Sequence, residues 1–332
     1  GKVQTAARGN TVSAVGMALA VIVTILDRQV FGAGKEAFLW LGVALAIGAA
    51  IGMLIAKKVK MTAMPEMVAL LNGFGGLASF LVAWAEYARA LGYPSIAQYL
   101  ADNAAFNAGF FAVSTSLAVF IGGITFTGSV LAFLKLGEFV SGRPFLFPAQ
   151  KLINLLLFVA CVAGTVIFAL NPEGAYAREI FYALMAISLL LGFTIVLPIG
   201  GGDMPVVISL LNSLSGMAAC AAGFILMNNV LIVAGTLVGA SGIVLTVIMA
   251  KAMNRSIGNI LFSGFGAQGG AASKQSGGEL KPISLEDAYY ILESANNVVF
   301  IPGYGMAVAQ AQHAVKELAG ILEDNGAQVR FA

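Results

Sequence analysis

The chain has 332 residues, of which 59% are hydrophobic and only 10% are charged, and its formal net charge is +2. Soluble domains carry about 25% charged residues, so this composition excludes an ordinary soluble protein and predicts a polytopic membrane protein. The small net charge gives no indication of a nucleic-acid partner. Two cysteines and a single histidine, His313, are too few for a disulfide framework or a metal site.

Long apolar runs predict an all-α membrane bundle of about eight transmembrane helices over residues 1–255. The predicted spans lie near residues 11–30, 37–56, 66–88, 108–136, 150–170, 177–198, 203–226 and 229–250. An even number of spans places both chain ends on one side of the membrane. That side carries most of the lysine and arginine residues near the spans, so we expect both ends to be cytoplasmic or in the matrix of an organelle.

Two segments repeat one another, Met64–Gly76 and Met204–Gly216. In both, Met-Pro is followed by Leu-Leu-Asn and then by Gly, and each proline fits the first turn of a helix. Asn72 and Asn212 would each lie about 12 Å inside a helix, within a hydrocarbon core about 30 Å thick. The two helices would run in the same direction, which is a parallel repeat of a type known among transporters.

Polar residues in these repeats are candidates for a path through the membrane. Asn72 and Asn212 do not titrate, and buried amides often only join helices, but two at matched depth favour a polar pathway. Asp203 stands where it would cap the helix that Pro205 begins. It equally suits a proton access point or a contact with a soluble domain. Glu66 has the comparable position in the first repeat, and the same alternatives apply to it.

The amino-acid composition changes after the last predicted span. Residues 256–280 are rich in glycine and serine and predict a flexible linker. The spacing from Ser284 to Asp287 is that of a capping box, Asn297–Ile301 predicts a buried strand, and Gln328–Phe331 begins a second strand after an amphipathic helix. Residues 281–332 therefore predict the beginning of a Rossmann-like α/β domain. We expect it to be incomplete, because its β-α-β opening of about 35 residues is too short to bury a core, and a domain needs about 50 residues or more.

A glycine turn follows the first predicted strand. Gly303 and Gly305 match the first two positions of a dinucleotide fingerprint, and Val308 stands where its third glycine or alanine is expected. A strand before the turn and a helix after it favour nucleotide binding, and the alternative is a plain strand-to-helix turn. The predicted cofactor-binding residues are Gly303, Tyr304, Gly305, Met306 and Ala307.

Four motifs together resemble the beta subunit of proton-translocating NAD(P) transhydrogenase, and the resemblance covers nearly the whole chain. They are Gly-Gly-Asp203-Met-Pro-Val-Val, Leu-Asn212-Ser-Leu-Ser-Gly216, Ala252-Met-Asn-Arg-Ser256 and Pro302-Gly-Tyr-Gly-Met-Ala-Val-Ala-Gln-Ala-Gln312. The resemblance implies hydride transfer from NADH to NADP⁺, driven by protons that cross the membrane inward. It also implies an alpha subunit that carries the NAD(H) domain and further helices, in a dimer of such alpha-beta units, and a multi-pass location in a bacterial inner membrane.

The resemblance also implies roles for individual residues. It places Asp203 at the junction with the NADP(H) domain, Asn212 along the proton channel, and Tyr304 in contact with NADP(H). Our leading hypothesis is that Asn72, Asn212 and Ser241 border a proton route, which Asp203 links to the nucleotide domain. Asn72 stands where many relatives have a histidine, so the titrating group must come from elsewhere, as it does from an alpha-subunit helix in other relatives.

Two rival functions remain open at this point. One is a secondary transporter with a parallel internal repeat and a regulatory nucleotide-binding domain, and the other is a structural membrane subunit whose partner performs the chemistry. The family's first beta-subunit span and most of its NADP(H) domain are not among these 332 residues. We therefore expect this chain alone neither to hold NADP(H) tightly nor to catalyse hydride transfer.

Overall fold

The computed structural model of the protein describes residues 5–26, 34–102, 107–254, 256–262, 284–303, 306 and 311–332. These residues fall into two compact units, Gly1–Gly269 and Gly270–Ala332, each of which is described by itself. The first unit consists of helices, and its described part contains eight that are long and apolar enough to cross a membrane, which confirms the predicted number.

The helices of the first unit follow one another with short connections. They are α1 (Ala6–Leu26), α2 (Lys35–Lys58), α3 (Met64–Ala90), the short α4 (Ile96–Asp102), α5 (Ala108–Leu136), α6 (Gln150–Leu170), α7 (Ala177–Val196), α8 (Met204–Ile225), α9 (Asn229–Ala252) and the short α10 (Ile257–Phe262). The helix α10 lies within the range predicted as a linker, and residues 263–280 of that range lie outside the described residues.

Local sequence explains where several helices begin. Both Met-Pro pairs lie in the first turn of their helices, α3 and α8, as predicted, and a 3₁₀ turn precedes each of them. Asn107 caps α5 by accepting a hydrogen bond of 2.8 Å from the Phe110 backbone N–H, and Asn228 caps α9 in the same way through Leu231 at 3.0 Å. These caps satisfy backbone donors that a helix start otherwise leaves unpaired.

Three helices, α3, α5 and α8, pack against one another and form the centre of the bundle. Around them, α9 packs on α8, α7 packs on α5, and α6 packs on α7 and α5. Aromatic rings fill the space between α3 and the α6–α7 pair, where the Tyr87 ring lies 5.3 Å from Phe168 and 4.2 Å from Phe181, centroid to centroid. By contrast, no residue of α2 is buried.

The contacts define the direction of each helix. Asn72, in the third turn of α3, contacts the second turn of α8, so these two helices are parallel, whereas α5 runs antiparallel to α3. As a result α3 and α8 begin at the end of the bundle where α5, α7 and α9 finish. We call this the Met-Pro end, because Met64-Pro65 and Met204-Pro205 begin their helices there.

The second unit contains α11 (Leu285–Glu293), β1 (Asn297–Phe300), α12 (Gln312–Asp324) and β2 (Gln328–Phe331). The predicted capping box is confirmed, since Ser284 and Asp287 each bond to the other's backbone. The two strands pair in parallel, with Asn297 opposite Gln328. The predicted strands and helix are thus confirmed, but the prediction that the first strand is buried is wrong, since no residue of β1 is buried and Val299 is 52% exposed. Two strands do not identify a Rossmann-like fold, which stays a prediction.

Candidate functional site

The side-chain amide of Asn72 joins the two repeated helices. Asn72 is only 7% exposed, and its Nδ2 donates a hydrogen bond of 3.3 Å to the backbone oxygen of Ile208 on α8. The Ile208 carbonyl lies one helical turn before Asn212, so the two predicted asparagines are brought to neighbouring levels of one interface. We call this interface between α3 and α8 the polar seam.

Asn212 lies on the same seam but is placed differently. Its side chain is half-buried, and its backbone oxygen accepts a hydrogen bond of 2.8 Å from Ser215 Oγ. A methyl group on Gly75 of α3 would lie 3.7 Å from Ser215 Cβ, which shows that Ser215 also faces α3. The seam therefore carries a hydroxyl next to its second amide, and a partly open position at Asn212 where water or another chain has access.

Ser129 of α5 is a buried hydroxyl beside the seam that was not among the predicted site residues. A methyl group on Gly73, the neighbour of Asn72, would lie 3.1 Å from Ser129 Cβ. Ser129 Oγ is fully buried and has no hydrogen-bond partner in the described residues. Buried polar groups are nearly always paired, so this hydroxyl is suited to a water or a transient donor. The sequence signal that could have identified Ser129 is its position in the hydroxyl-rich motif Thr125-Phe-Thr-Gly-Ser129.

The two acidic candidates lie at the Met-Pro end of the seam. Asp203 closes the 3₁₀ turn Gly201–Asp203 and is 7% exposed, while Glu66 lies half-buried in the first turn of α3. Asp203 occupies the cap position of α8, but its side chain makes no capping hydrogen bond. A favourable charge at the helix start, a proton group and a coupling contact all stay predictions for Asp203.

Ser241 is not brought to the seam. Its side chain is exposed on α9 and Oγ bonds 3.0 Å back to the Val238 carbonyl of its own helix. The buried hydroxyls of this region are instead those of Ser209, Ser213 and Thr246, which bond between α8 and α9 or to one another. A role for Ser241 stays a prediction.

The seam has hydrogen-bonding groups but no titrating side chain of its own. The sequence has no aspartate, glutamate or histidine between Glu66 and Glu86 on α3, and none within α8. Amides and hydroxyls can donate and accept hydrogen bonds at neutral pH without changing charge. A proton moving through this region would therefore have to use water, hydroxyls or a titrating group from outside α3 and α8.

Only part of the predicted cofactor site is described. Tyr304, Gly305 and Ala307 lie outside the described residues. Gly303 is exposed just beyond the carboxyl end of β1, and its carbonyl accepts a hydrogen bond of 3.1 Å from the Met306 N–H. A methyl group on Gly303 would meet no atom within 4 Å. Parallel α/β folds bind nucleotides beyond the carboxyl ends of their strands, where Gly303 lies, and nucleotide binding at this place stays a prediction.

Comparison with known proteins decides the family. The family model described as NAD(P) transhydrogenase beta subunit matches residues 1–332. The chain belongs to this family. It is 44% identical over 332 residues to two Rhodospirillum rubrum proteins named NAD(P) transhydrogenase subunit beta, one of them from a specified strain, and the match covers 99% of this chain and 68% of each relative.

Family membership confirms the resemblance and the expected function as the membrane subunit of a transhydrogenase, whereas the roles of individual residues stay predictions. As a transhydrogenase beta subunit, the chain is the membrane subunit of a proton-translocating transhydrogenase and part of an oxidoreductase complex. The name of a beta subunit implies an alpha-subunit partner. The family match does not favour the secondary-transporter alternative, and eight candidate membrane helices agree with an integral membrane protein.

Proposed function

We propose that the polar seam is the part of this transhydrogenase subunit along which protons cross the membrane. The observation that carries the proposal is the hydrogen bond from Asn72 Nδ2 to the Ile208 carbonyl, which unites the two repeats at the level of their amides. Polar groups inside a membrane are costly, so a line of them through a bundle centre favours a transport path over plain packing. Asn212, half-buried on the same seam, is the next polar group on this path.

The titrating group of the path is proposed to come from the alpha subunit. The seam itself has no carboxylate or imidazole, and the half-buried amide of Asn212 leaves one side of the seam accessible to another helix. Asn72 and Asn212 would then orient water and hydrogen-bond the partner's group in one protonation state. In this arrangement the beta subunit supplies the polar walls of the path and the alpha subunit supplies the charge change.

Proton movement and hydride transfer are coupled if protonation and nucleotide binding favour different states of one conformational equilibrium. A ligand shifts such an equilibrium only by its difference in affinity for the two states, and the effect is reciprocal between the two sites. We infer that Asp203 and Glu66, at the Met-Pro end, respond to protonation of the seam, and that Asp203 passes this response to the NADP(H)-binding part. Ser241 is retained as a residue that borders the route from the exposed face of α9.

The second unit is proposed to begin a Rossmann-like NADP(H) domain, with Gly303, Tyr304, Gly305, Met306 and Ala307 holding the nucleotide. When bound, NADP⁺ accepts the hydride that NADH on the alpha subunit donates. The complete enzyme is proposed to be a dimer of alpha-beta units in lipid of a bacterial inner membrane, with both ends of this chain cytoplasmic. The distribution of lysine and arginine residues supports that orientation.

The proposal is tested with Asn212→Leu and Asn72→Leu in the complete enzyme in sealed vesicles. Hydride transfer from NADH to NADP⁺ is measured with and without an imposed inward pH gradient. We expect each variant to lose about tenfold of the stimulation by the gradient, the size of a typical coupling effect, with the KM for NADP⁺ nearly unchanged. Asn229→Leu, at an exposed position in the first turn of α9, is the control.

Unchanged stimulation in both seam variants would contradict the proposal. A rise in the KM for NADP⁺ without loss of stimulation would place the asparagines in nucleotide binding instead. Should the Asn229→Leu control lose as much stimulation as the seam variants, the effect would not be specific to the seam, and the proposal would fail.

A further inference from the structure

Lys135 is a buried cation that the site described above does not use. It lies in the last turn of α5 and is only 3% exposed. Its Nζ donates to three backbone oxygens, those of Val196 at 3.5 Å, Leu197, and Ile199 at 2.9 Å. A lysine ammonium group has three donors, so the three carbonyls match its full capacity. The ion pairs found in the described residues do not include Lys135.

The reason for this arrangement lies in the end of α7. Pro198, two residues beyond the end of α7, has no N–H, so the Thr194 carbonyl loses the donor that a continuing helix would provide. Gln150 Nε2 and Asn154 Nδ2 of α6 donate to the Thr194 carbonyl instead, at 3.1 and 3.4 Å. Lys135 likewise donates hydrogen bonds to carbonyls that follow Thr194. Its positive charge also suits the negative end of the helix dipole.

These carbonyls belong to the segment that leads into α8. The segment Leu197–Asp203 is also held by backbone hydrogen bonds. The Leu197 and Val196 carbonyls accept from the Phe145 and Ile199 N–H groups at 3.3 and 3.1 Å. The Gly201 N–H donates to the Gly142 carbonyl at 2.9 Å, and the Asp203 N–H donates to the Gly200 carbonyl at 3.1 Å. At its end lie Asp203 and Met204, both buried. Lys135 therefore joins the end of α5 directly to the segment that leads to Asp203 at the Met-Pro end of the seam.

We propose that Lys135 is a positioning residue for proton coupling, because its ammonium group fixes Leu197–Asp203 and so sets the place of Asp203 and of the first turn of α8. This inference rests on the proposed function of the seam. A buried charge without a charged partner is costly, and a neutral side chain of similar length would fill the same space at lower cost. The buried charge of Lys135 is explained if Leu197–Asp203 must keep one conformation while proton and nucleotide binding shift the equilibrium between the two states of the enzyme.

The test compares Lys135→Met with Lys251→Met in the complete enzyme in sealed vesicles. The two lysines are matched, since each lies in the last turn of a helix that finishes at the Met-Pro end, but Lys251 is exposed. Rates of hydride transfer are measured with and without an inward pH gradient, and hydrogen exchange is measured at the Gly201 and Asp203 amides.

For Lys135→Met we expect the stimulation by the gradient to fall about tenfold while the rate without a gradient stays within about twofold of wild type. We expect exchange of the Gly201 and Asp203 amides to become about tenfold faster, as hydrogen bonds to a charged group are lost. Lys251→Met is expected to change neither quantity. Lys135→Gln, which keeps neutral N–H donors, is expected to fall between wild type and Lys135→Met.

Each other outcome overturns the proposal. If both rates of an assembled Lys135→Met enzyme fall in proportion, Lys135 is structural only, and if the stimulation persists, Lys135 does not position the coupling segment. Should Lys135→Met fail to assemble, Lys135→Gln is judged by the same two criteria. If the wild-type rate itself is not stimulated by a gradient, the proposed function fails first, and this result is distinguishable because it does not depend on any Lys135 variant.

Discussion

The two repeats of the bundle match in how their helices pack and differ in how their polar groups are paired. Gly76 of α3 and Gly216 of α8 hold equivalent places in the repeat. A methyl group on Gly76 would lie 2.9 Å from the Gly122 carbonyl of α5, and one on Gly216 would lie 2.9 Å from the Gly235 carbonyl of α9. In both repeats the Met-Pro helix therefore approaches its neighbour backbone to backbone.

The polar groups of the two helix pairs differ. The second repeat has Ser209 and Ser213, and both donate to carbonyls of α9, at 3.3 and 2.6 Å. The first repeat has Ala69 and Gly73 at the equivalent places, and the nearby Ser129 hydroxyl has no partner within the described part of the chain. The second pair is thus held together by hydroxyls, whereas the first keeps an unused hydroxyl beside the seam. The backbone packing is thus the same in the two helix pairs. Within the described residues, only the first pair, α3 and α5, keeps a hydroxyl that is not already used in a hydrogen bond.

The largest effect is expected where the repeats are alike. Gly76→Ala places a methyl group 2.7 Å from Thr125 Cβ and 2.9 Å from the Gly122 backbone oxygen. Gly216→Ala places one 2.5 Å from the Gly239 backbone N. Overpacking of this kind costs about 1–3 kcal/mol, and more where backbone has to move. We expect both variants to lower the unfolding temperature of the complex in detergent markedly, with Gly216→Ala at least as damaging as Gly76→Ala.

Gly75→Ala is the matched control for these substitutions. A methyl group on Gly75 would meet only Ser215 Cβ at 3.7 Å, which is ordinary van der Waals contact. Its unfolding temperature is expected to stay close to wild type, since alanine also favours the helix. Equal destabilisation by Gly75→Ala and Gly76→Ala would show that the close approach of α3 to α5 is not the reason why alanine is unfavourable in place of Gly76.

A second, smaller contrast concerns the two asparagines. Asn72→Ala removes the hydrogen bond to the Ile208 carbonyl and is expected to destabilise the bundle by about 1 kcal/mol, within the range for interhelical bonds in membranes. The Asn212 side chain makes no hydrogen bond that the described residues show, so Asn212→Ala is expected to have a smaller effect on thermal unfolding. A larger loss for Asn212→Ala than for Asn72→Ala would mean that the amide of Asn212 also joins helices.

The hydroxyls provide a third contrast between the repeats. Ser213→Ala removes a bond of 2.6 Å to the Gly239 carbonyl and should cost about 0.6 kcal/mol, the average for such bonds in membrane bundles. Ser129→Ala removes a hydroxyl that has no protein partner, so a dry site predicts little change or a slight gain in stability. If Ser129→Ala destabilises the complex as much as Ser213→Ala, then Ser129 binds an ordered water, which would be a reason to add Ser129 to the proposed proton path.

Much of the fold was predictable because it depends on local or summed properties of the sequence. Length and hydropathy predicted eight spans, proline positions predicted the starts of α3 and α8, and the capping box predicted the start of α11. Gln328–Phe331 forms β2 over the residues predicted to begin it. Each of these signals acts within a few residues, so no knowledge of neighbouring helices was needed.

The side-chain environments were less predictable, because they depend on which helix lies opposite. Ser241 and Ser213 both lie in apolar helices, yet Ser213 is buried against α9 and Ser241 is exposed. Lys135 contributes to the charge bias of one membrane side, but in the structure it is buried on backbone carbonyls. Backbone acceptors such as the Ile208 and Ile199 carbonyls have no sequence signature, so neither contact had a signal in the sequence.

The smallest effect concerns the far ends of the repeated helices, away from the Met-Pro end. At the far end of α3, Glu86 accepts hydrogen bonds from Arg89 and from the Tyr99 hydroxyl of α4, whereas α8 ends near the uncharged cap Asn228. Burial above all, together with the hydrogen bond to Glu86, raises the pKa of Tyr99 from an ordinary value of 10.0 to about 12. The folded state thus favours the neutral phenol.

The sign of the pH dependence follows from this raised pKa. The stability that Tyr99 contributes is fully present below pH 10 and is lost as the pH rises from there through about 12, because the unfolded chain ionises first. Ultraviolet absorbance of tyrosinate, taken as the difference between wild type and Tyr99→Phe, should show this phenol ionising only near pH 12. Ionisation near pH 10 in the folded complex would mean that water reaches Tyr99. The far ends of the two repeated helices would then differ only in charge, and not in the burial of a phenol.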